Sequence, residues 1–386
     1  MAKRNFGSIA TMMAAPALLA TMAAAYTAFW FYNASAMKAR VAEWAAERQA
    51  LGDRAEITVA GVGGFPTRVT VDLENVSVAF HRGETSWSLQ APRLALVSHV
   101  FSPRAFSVAL PDASEIARTR PSGRDSLTKT GGVANLEIAL NSLDGLRAAT
   151  FTAANLRFGG SWSGQPLTST LAVADATVAA SVEPPIAAKS QTAPTARLTA
   201  TAHGLRWPDN LAFPLGSEVA SFDLDAIATG PINAGPAYNA LQQWREAGGM
   251  ITVRRVSLRW GASALDGTGT LALDPRLQPI ASLTARVEGF VPLVDVLDTA
   301  GMIRDSDATL ARLVLGREMP PSGPANLSLS VRDGIVFAGP LALVRVPPIE
   351  WPGTPEEPRT RSGAPLMKPG IDIGPDGTVR RKGDPI

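Results

Sequence analysis

The sequence predicts a mainly β fold in which a single N-terminal transmembrane helix is followed by antiparallel, curved β-sheets and a few packing helices. Three observations support this prediction. No charged residue occurs between Asn5 and Met37, apolar and polar residues alternate along many later segments, and glycine, proline and aspartate separate those segments. Alternation is typical of strands with one buried face, and few helical patterns interrupt it, so an antiparallel β-rich body is expected.

The uncharged run predicts a membrane anchor. It is longer than the ~20 apolar residues that a membrane-spanning helix requires, and we place the span at residues 9–31. Aromatic residues crowd its far end, where amphipathic rings favour the level of the lipid headgroups. The anchor residues in this interpretation are Ile9, Leu18, Leu19, Phe29, Trp30 and Phe31.

The residues that flank the run leave its orientation and processing open. Lys3 and Arg4 favour a cytoplasmic N terminus, whereas Lys38 and Arg40 oppose it. A cleaved signal peptide is the alternative, because residues 34–36 (Ala-Ser-Ala) have the small side chains of a cleavage site. The apolar stretch exceeds the ~7–15 residues of a signal core, which favours an uncleaved anchor. We therefore expect a single-pass inner-membrane protein with the bulk of its chain in the periplasm.

Composition excludes several classes of site and partner. The chain has no cysteine, which excludes disulfides, zinc–thiolate sites and cysteine catalysis. Lys and Arg number 36 against 34 Asp and Glu, which is not the concentrated basic charge of a nucleic-acid-binding protein, and we expect no nucleic-acid partner. Charged residues make up only 18% of the chain, below the ~25% of typical soluble domains. This deficit indicates extensive burial or a surface that meets lipid.

Changes in periodicity divide the chain into five segments. Residues 1–36 form a cytoplasmic stub and the anchor, 37–182 a helix with an N-terminal β unit, and 195–346 a C-terminal β unit with helices. The proline-rich stretch at 183–194 is typical of a loop or linker. Residues 347–386 combine repeated proline, glycine and charge, which predicts a disordered tail.

Helical patterns and turn dipeptides locate individual elements. Helices are predicted at residues 37–51, 236–247, 291–300 and 305–315. The first has an apolar face made of Met37, Val41, Trp44 and Ala45. We expect this face to pack on the first sheet; an interfacial helix on the membrane surface is the alternative. The dipeptides at 266–267 and 333–334 (both Asp-Gly) lie between alternating runs and predict hairpin turns.

Residue types that carry chemistry occur without the partners that catalysis needs. His81, His99 and His203 have no second ligand at metal-binding spacing. Asp223 and Asp225 share one face of a strand, as solvated strand residues commonly do. We predict no catalytic, cofactor-binding or metal-binding residue and no cofactor, and we do not expect an enzyme.

Several glycine and aromatic segments resemble a known family. The residues that carry the resemblance are Gly64, Phe65, Pro66, Trp87, Trp244, Gly249, Trp260, Gly261 and Gly269. With the anchor, they resemble the family described as domain of unknown function 2125, from about residue 37 to residue 348. The resemblance implies a shared fold and no transferable catalytic residue. The layout is also similar to that of AsmA-like envelope proteins, which implies curved sheets with an apolar groove for acyl chains.

These observations predict a membrane-anchored envelope protein that binds or handles lipid. Its expected partners are the inner membrane, phospholipid or another envelope lipid, and another envelope protein. The alternative is a structural β-sandwich scaffold or interaction module; a hydrolase is less favoured. The two main hypotheses differ in the apolar sheet face, which is an open groove in one and a closed core in the other, because an alternating sheet has to bury that face against something.

Overall fold

The computed structural model describes most of the chain. The described residues are 7–82, 85–140, 146–182, 194–211, 215–232, 237–299, 309, 312, 324–339, 341–349, 351, 371–373 and 379–381. The chain divides into two compact units, residues 1–353 and residues 354–386. In the second unit, β18 (Ile371–Ile373) and β19 (Val379–Arg381) form an antiparallel hairpin.

The first unit consists mostly of strands. Its described helices are α1 (Gly7–Ala50), α2 (Ala237–Glu246) and α3 (Phe290–Thr299). Its strands are β1 (Arg54–Gly63), β2 (Arg68–Arg82), β3 (Thr85–His99), β4 (Ser102–Ala109), β5 (Glu115–Arg120), β6 (Gly123–Leu140), β7 (Leu146–Trp162), β8 (Gln165–Pro166), β9 (Leu171–Val182), β10 (Pro194–Arg206), β11 (Glu218–Thr229), β12 (Met250–Trp260), β13 (Ser263–Leu273), β14 (Pro279–Glu288), β15 (Ala325–Arg332), β16 (Ile335–Ala338) and β17 (Leu341–Arg345). The predicted mainly β, antiparallel fold with few helices is confirmed.

Strands β1 to β17 form a single antiparallel sheet in which neighbours along the chain are neighbours in space. β4 and β5 lie end to end, and each pairs with β3 on one side and β6 on the other. The two-residue β8 pairs with the end of β7. Along most of its length, β7 pairs with β9. Among the described strands, β1 is paired with β2 alone and β17 with β16 alone. The sheet is therefore an open meander with two edges.

The predicted linker at 183–194 lies almost wholly outside the described residues. The strands on either side of it, β9 and β10, pair over most of their length from Val182 with Ala196 to Ala172 with Arg206. The N-terminal and C-terminal β units predicted from the sequence thus share one continuous sheet.

Helix α1 packs along the start of this sheet. Trp30, Ala34 and Met37 are buried against β2 and β3, and Val41 packs beside them. The spacing of these residues puts them on one helical face. The packing predicted for this helix is confirmed for Met37 and Val41 but is wrong for Trp44, whose indole is exposed because it lies at the margin of the buried stripe.

The three aromatic residues of the predicted anchor differ in burial. Phe29 and Phe31 are exposed, whereas Trp30 was expected at the lipid headgroup level and is instead buried within the protein. Ile9, Leu18 and Leu19 belong to residues 7–20, whose side chains lie outside the described part. Within the described residues, no helix is both long and apolar enough to cross a membrane.

The remaining elements agree in part with the sequence. α2 and α3 are confirmed to within one residue at each end, and most of the helix predicted at 305–315 lies outside the described residues. The turn at Asp333-Gly334 is confirmed. The turn predicted at Asp266-Gly267 is wrong, because both residues lie within β13. A side chain at position 267 would crowd the backbone of the neighbouring β14, with its Cβ 3.0 Å from the carbonyl oxygen of Thr284.

The start of the predicted tail is attached to the body. The amide of Ile349 donates to Oε1 of Gln278 at 2.7 Å, and the Gln278 side-chain amide returns a 3.0 Å bond to the carbonyl oxygen of Ile349. The indole of Trp351 donates to the carbonyl oxygen of Leu277 at 2.7 Å. Most of the residues after Trp351 lie outside the described part.

Candidate functional site

One face of the sheet carries unbroken rows of apolar residues. Residues that are paired across antiparallel strands project on the same face, so the strand registers define each row. The first row, from β2 to β15, is Val71, Leu96, Val108, Leu136, Phe151, Val178, Ala200, Leu224, Val256, Gly267, Ala285 and Leu327. We call the face that this row defines the apolar face.

A second row on the apolar face extends the pattern to the last strand. It runs from β4 to β17 through Phe106, Ile138, Ala149, Ala180, Leu198, Ala226, Val253, Gly269, Leu283, Leu329, Ala338 and Leu341. No charged or hydrogen-bonding side chain interrupts either row. With neighbouring strands ~4.8 Å apart, the face extends roughly 60 Å measured across the strands.

The opposite face is polar at the same level of the sheet. The residues next to the first row, one position away on each strand, are Asn135, Thr152, Thr177, Thr201, Asp223, Ser257, Asp266, Arg286 and Asn326. Their register makes them a continuous polar row, and we call this side the polar face. The strict period of two along each strand therefore separates the two faces completely at this level.

Ion pairs between neighbouring strands stabilise the polar face. Arg197 forms two hydrogen bonds with Asp225, at 3.2 and 3.0 Å, and Arg259 donates to Asp266 at 2.6 Å. The hydrogen bond from Arg259 is the largest cause that lowers the pKa of the Asp266 carboxyl. Asp225 was one of the two strand carboxylates noted in the sequence, and its partner is an arginine of the adjacent strand, which is a structural arrangement.

The apolar face is covered at one end and accessible in its middle. Around β2 to β4, helix α1 lies on it and buries Val69 and Val71. By contrast, no residue of β9 or β10 is buried on either face. The exposed fraction is 39% for Val178 and 40% for Leu198, although both residues belong to the apolar rows. In a closed sandwich the same positions would be core residues with almost no accessible surface.

Two glycines, Gly267 and Gly269, occupy the β13 positions of the apolar rows. A Cβ at Gly269 would overlap the carbonyl oxygen of Ser282 and the backbone of Leu283, whereas a Cβ at Gly267 would only be in tight contact with β14. β13 and β14 therefore approach more closely at Gly269 than a side chain would permit. This accounts for Gly269 among the residues that carry the family resemblance.

The other family-motif residues hold turns at separate places. Gly64, Phe65 and Pro66 form the turn between β1 and β2, and Gly64 has a φ of +91° that a side chain would strain. This turn is bonded to α1, because Tyr26 donates its hydroxyl to the carbonyl oxygen of Pro66 at 2.5 Å. Sequence reasoning missed this contact, since nothing in the local pattern links positions 26 and 66.

Two further tryptophans pack against glycine turns. Trp244 of α2 donates to the carbonyl oxygen of Thr229 at 2.8 Å, and its ring occupies the space in which a Cβ of Gly249 would lie. Trp260 donates to the carbonyl oxygen of Gly216 at 2.9 Å, and a Cβ at Gly261 would overlap the backbone of Leu215. These residues are structural and do not converge on one site.

Trp87 belongs to a cluster of rings and charges at the ends of β3, β5 and β6. The guanidinium of Arg118 lies 5.4 Å from the Trp87 ring centre and 5.1 Å from that of Trp162. Asp125, with 4% of its side chain exposed, accepts from Arg118 at 2.5 Å and from Arg120 at 2.9 Å. Burial would raise the pKa of Asp125, but these hydrogen bonds and charges outweigh it and the pKa is lowered.

The three histidines are also far from any metal-binding arrangement. Nδ1 of His203 lies 2.8 Å from Asp175, and this hydrogen bond raises the pKa of the imidazole. Nδ1 of His99 accepts from the amide of Phe101 at 3.3 Å. Among the described residues, no three His, Asp or Glu side chains come close enough together to hold a metal ion.

A shallow cavity lies beside the sheet where pairing is interrupted. Asn155 and Gly204 have positive φ angles, and the pairing of β7 and β10 with β9 lapses around Ala174 and resumes in the same register. The resulting cavity of about 470 Å³ has a mixed lining that includes Arg157 and Asp209. The cavity involves far fewer strands than the apolar face, which is the most extensive unusual feature of the described residues.

Comparison with known proteins supports the family and nothing more specific. No curated protein and no solved structure matches the chain. The likeness to AsmA-like proteins is untested and stays a prediction. A family model described as an uncharacterized protein conserved in bacteria (DUF2125) matches residues 30–347. These residues include α1 from Trp30 onward and the whole sheet, so the chain belongs to the DUF2125 family.

Proposed function

We propose that this protein is a single-pass inner-membrane protein whose periplasmic β-sheet binds or handles lipid along its apolar face. The observation that carries the proposal is the pair of apolar rows, one from β2 to β15 and one from β4 to β17, which are accessible at Val178 and Leu198. Large apolar surfaces that remain accessible commonly mark sites for lipid, ligand or partner binding.

The dimensions of the face suit an acyl chain. Half of a bilayer's ~30 Å hydrocarbon core, or about 15 Å, is the length that one acyl chain occupies. An acyl chain of that length crosses about three strands at ~4.8 Å each. Each methylene removed from water would contribute about 0.8 kcal/mol, so a few bound methylenes offset the cost of ordering the chain.

The chemistry of the rows favours lipid over a polar ligand. The rows consist of aliphatic and aromatic side chains and glycine, and hydrogen-bonding groups lie on the polar face. Such a surface offers contact without fixed polar positions, which suits ligands of repeating methylene groups. We propose phospholipid or another envelope lipid as the ligand and name no catalytic residue.

The membrane anchor in this proposal rests on the sequence. The run without charged residues from Asn5 to Met37 leads directly into the part of α1 that packs on the sheet. Because Tyr26 and Trp30 are both hydrogen-bonded to the body, a spanning segment would have to end before Tyr26, which is earlier than the span of residues 9–31 expected from the sequence. The β body would then stand next to the membrane surface, where a lipid-binding face is useful.

Photo-crosslinking in cells tests the proposal. A photoreactive phenylalanine analogue is placed in the full chain at Val178 or Leu198, and at Thr177 or Thr199 as matched controls on the polar face. We expect phospholipid adducts, detected by mass spectrometry, at the first two positions and not at the controls. Equal labelling of both faces, or no lipid adduct at Val178 and Leu198, would overturn it.

The alternative function is an interaction module for another envelope protein. It is favoured by the open edge at β17, beyond which no described strand pairs. An unpaired edge strand can accept a strand from a partner. In a matched experiment, protein adducts from the analogue placed at Ala342 on β17, without lipid adducts at Val178 and Leu198, would favour this alternative.

A further inference from the structure

An exposed set of aromatic rings surrounds the place where α1 meets the sheet. We call Phe29, Phe31, Phe65 and Phe101 the aromatic patch. All four are exposed; Phe65 retains 55% and Phe101 67% of its accessible surface. They come from the helix, from the β1–β2 turn and from the β3–β4 turn, so the fold assembles the patch from three separate segments.

Ring contacts hold the patch in one arrangement. Phe101 lies 6.3 Å from Phe29 and 6.1 Å from Tyr26, measured between ring centres. Phe65 lies 5.7 Å from Trp30, which in turn is in edge contact with Phe31 at 5.1 Å. These pairs are in the distance range of favourable aromatic interactions. Contacts with the buried Trp30 and the partly buried Tyr26 therefore hold the four rings at the protein surface, away from the apolar face.

Basic side chains flank the rings. Arg68 follows the β1–β2 turn, Arg104 follows the β3–β4 turn, and Lys38 lies on α1; all three are exposed. Arg40 reaches across from α1 and donates to the carbonyl oxygen of Pro103 at 3.0 Å, which ties the second turn to the helix. Rings combined with lysine and arginine are the composition that favours the interface of an anionic membrane.

The position of the patch along α1 identifies its occupant. Phe29 and Phe31 lie within the run without charged residues, and the patch is continuous with that run through the helix. A surface that contacts the uncharged residues of α1 before Phe29 would therefore also contact the patch. A lipid surface fits both the uncharged residues and the flanking cations, whereas a protein partner would have to match each separately.

We infer that the β1–β2 and β3–β4 turns insert Phe65 and Phe101 into the membrane interface and so dock the sheet on the bilayer by its first strands. This inference rests on the proposed function and adds an entry point to it. The apolar rows begin on β2 and β4, directly behind the docked turns. Lipid would therefore reach the apolar face beyond the strands that α1 covers and move towards β17.

Single-cysteine labelling of the full chain tests the docking. Because the natural chain has no cysteine, Phe65→Cys, Phe101→Cys and Val133→Cys each carry one fluorophore. Val133 is the matched control, since it is an apolar residue with 62% exposure on β6, away from both turns. Each labelled protein is reconstituted in vesicles of phosphatidylethanolamine and phosphatidylglycerol that contain lipid with a quencher near the headgroup.

We expect loss of most of the fluorescence at positions 65 and 101 and little change at position 133. Labels at 65 and 101 that stay open to aqueous iodide, or that are shielded from iodide but not quenched by lipid, would overturn the inference. The second result would mean that a protein covers the patch. Quenching at 65 and 101 without lipid adducts at Val178 would refute the proposed function alone, and adducts without quenching would refute the docking alone.

Discussion

The indole Nε1 of Trp30 donates a 2.6 Å hydrogen bond to the carbonyl oxygen of Arg68, the first residue of β2. The bond joins α1 to the sheet, and the ring is buried against β2 and β3 together with Ala34 and Met37. A segment that the sequence assigns to the membrane is thereby part of the folded body. The bond and the packing together fix the position of α1 on the sheet at Trp30.

Removing this indole should release α1 from the sheet. We expect Trp30→Ala to lower the free energy of unfolding by about 3–5 kcal/mol, because a buried aromatic ring and its hydrogen bond are lost together. Urea denaturation of the full chain in detergent would measure the change. Tyr32→Ala, on the exposed side of the same helix, is the matched control and should change stability by less than ~0.5 kcal/mol. Equal effects of the two variants would contradict the packing of Trp30.

A methyl group at position 249 should disturb the Trp244 turn. The added Cβ of Gly249→Ala would overlap the indole ring, so the ring has to move and we expect a loss of about 1–3 kcal/mol. Gly61→Ala is the control, because nothing lies within 4 Å of its Cβ. In a Trp244→Ala background the change at 249 should cost almost nothing. A full cost in that background, measured as a double-mutant cycle, would show that the ring is not the cause.

Neutralising Asp125 should leave two arginines without their shared partner. We expect Asp125→Asn to destabilise the protein by about 2–3 kcal/mol at neutral pH, since Asp125 is buried and accepts from both Arg118 and Arg120. Glu115→Gln removes a partly exposed partner of the exposed Arg124 and should change stability by less than ~1 kcal/mol. Denaturant titrations of both variants make the comparison.

The same carboxylate predicts a pH dependence of stability. The folded pKa of Asp125 lies below its ordinary value, so the unfolded chain takes up the proton first as the pH falls. Its contribution is complete above the unfolded pKa of ~3.9 and is lost as the pH falls through the lower folded pKa. The stability difference between the natural protein and Asp125→Asn should therefore shrink below about pH 4. A difference that is constant over this range would refute the assignment.

The pair of His203 and Asp175 predicts a titration shift on the polar face. The hydrogen bond that Nδ1 of His203 donates to Asp175 raises the pKa of His203, and Asp223 adds a smaller charge effect. In NMR titrations of selectively labelled histidine, Asp175→Asn should lower this pKa more than Asp223→Asn does. The pair stabilises the fold below the unfolded histidine pKa of ~6.5, and this contribution is lost as the pH rises through the raised folded value. An unchanged His203 titration in Asp175→Asn would contradict the contact.

Local patterns were enough to predict a mainly β fold and the helices α2 and α3. Period-two alternation depends only on which face each side chain takes, so it separates the apolar Leu198 from the polar Thr199 on β10 without knowledge of the rest of the fold. The same patterns were wrong at Asp266-Gly267, because a glycine required by a neighbouring strand looks like a turn glycine in sequence. They were also wrong about Trp30, since its partner is 38 residues away.

The sequence by itself determined the class of fold, the separation of apolar and polar residues and the absence of cysteine chemistry. Only the tertiary structure decided that strands β1 to β17 join one open meander, that α1 covers its first strands, and that the middle of the apolar face stays accessible at Val178. The physical reason is that periodicity records which side of a strand a residue occupies. What lies over that side depends on contacts between segments that are distant in the chain, and alternation carries no information about them.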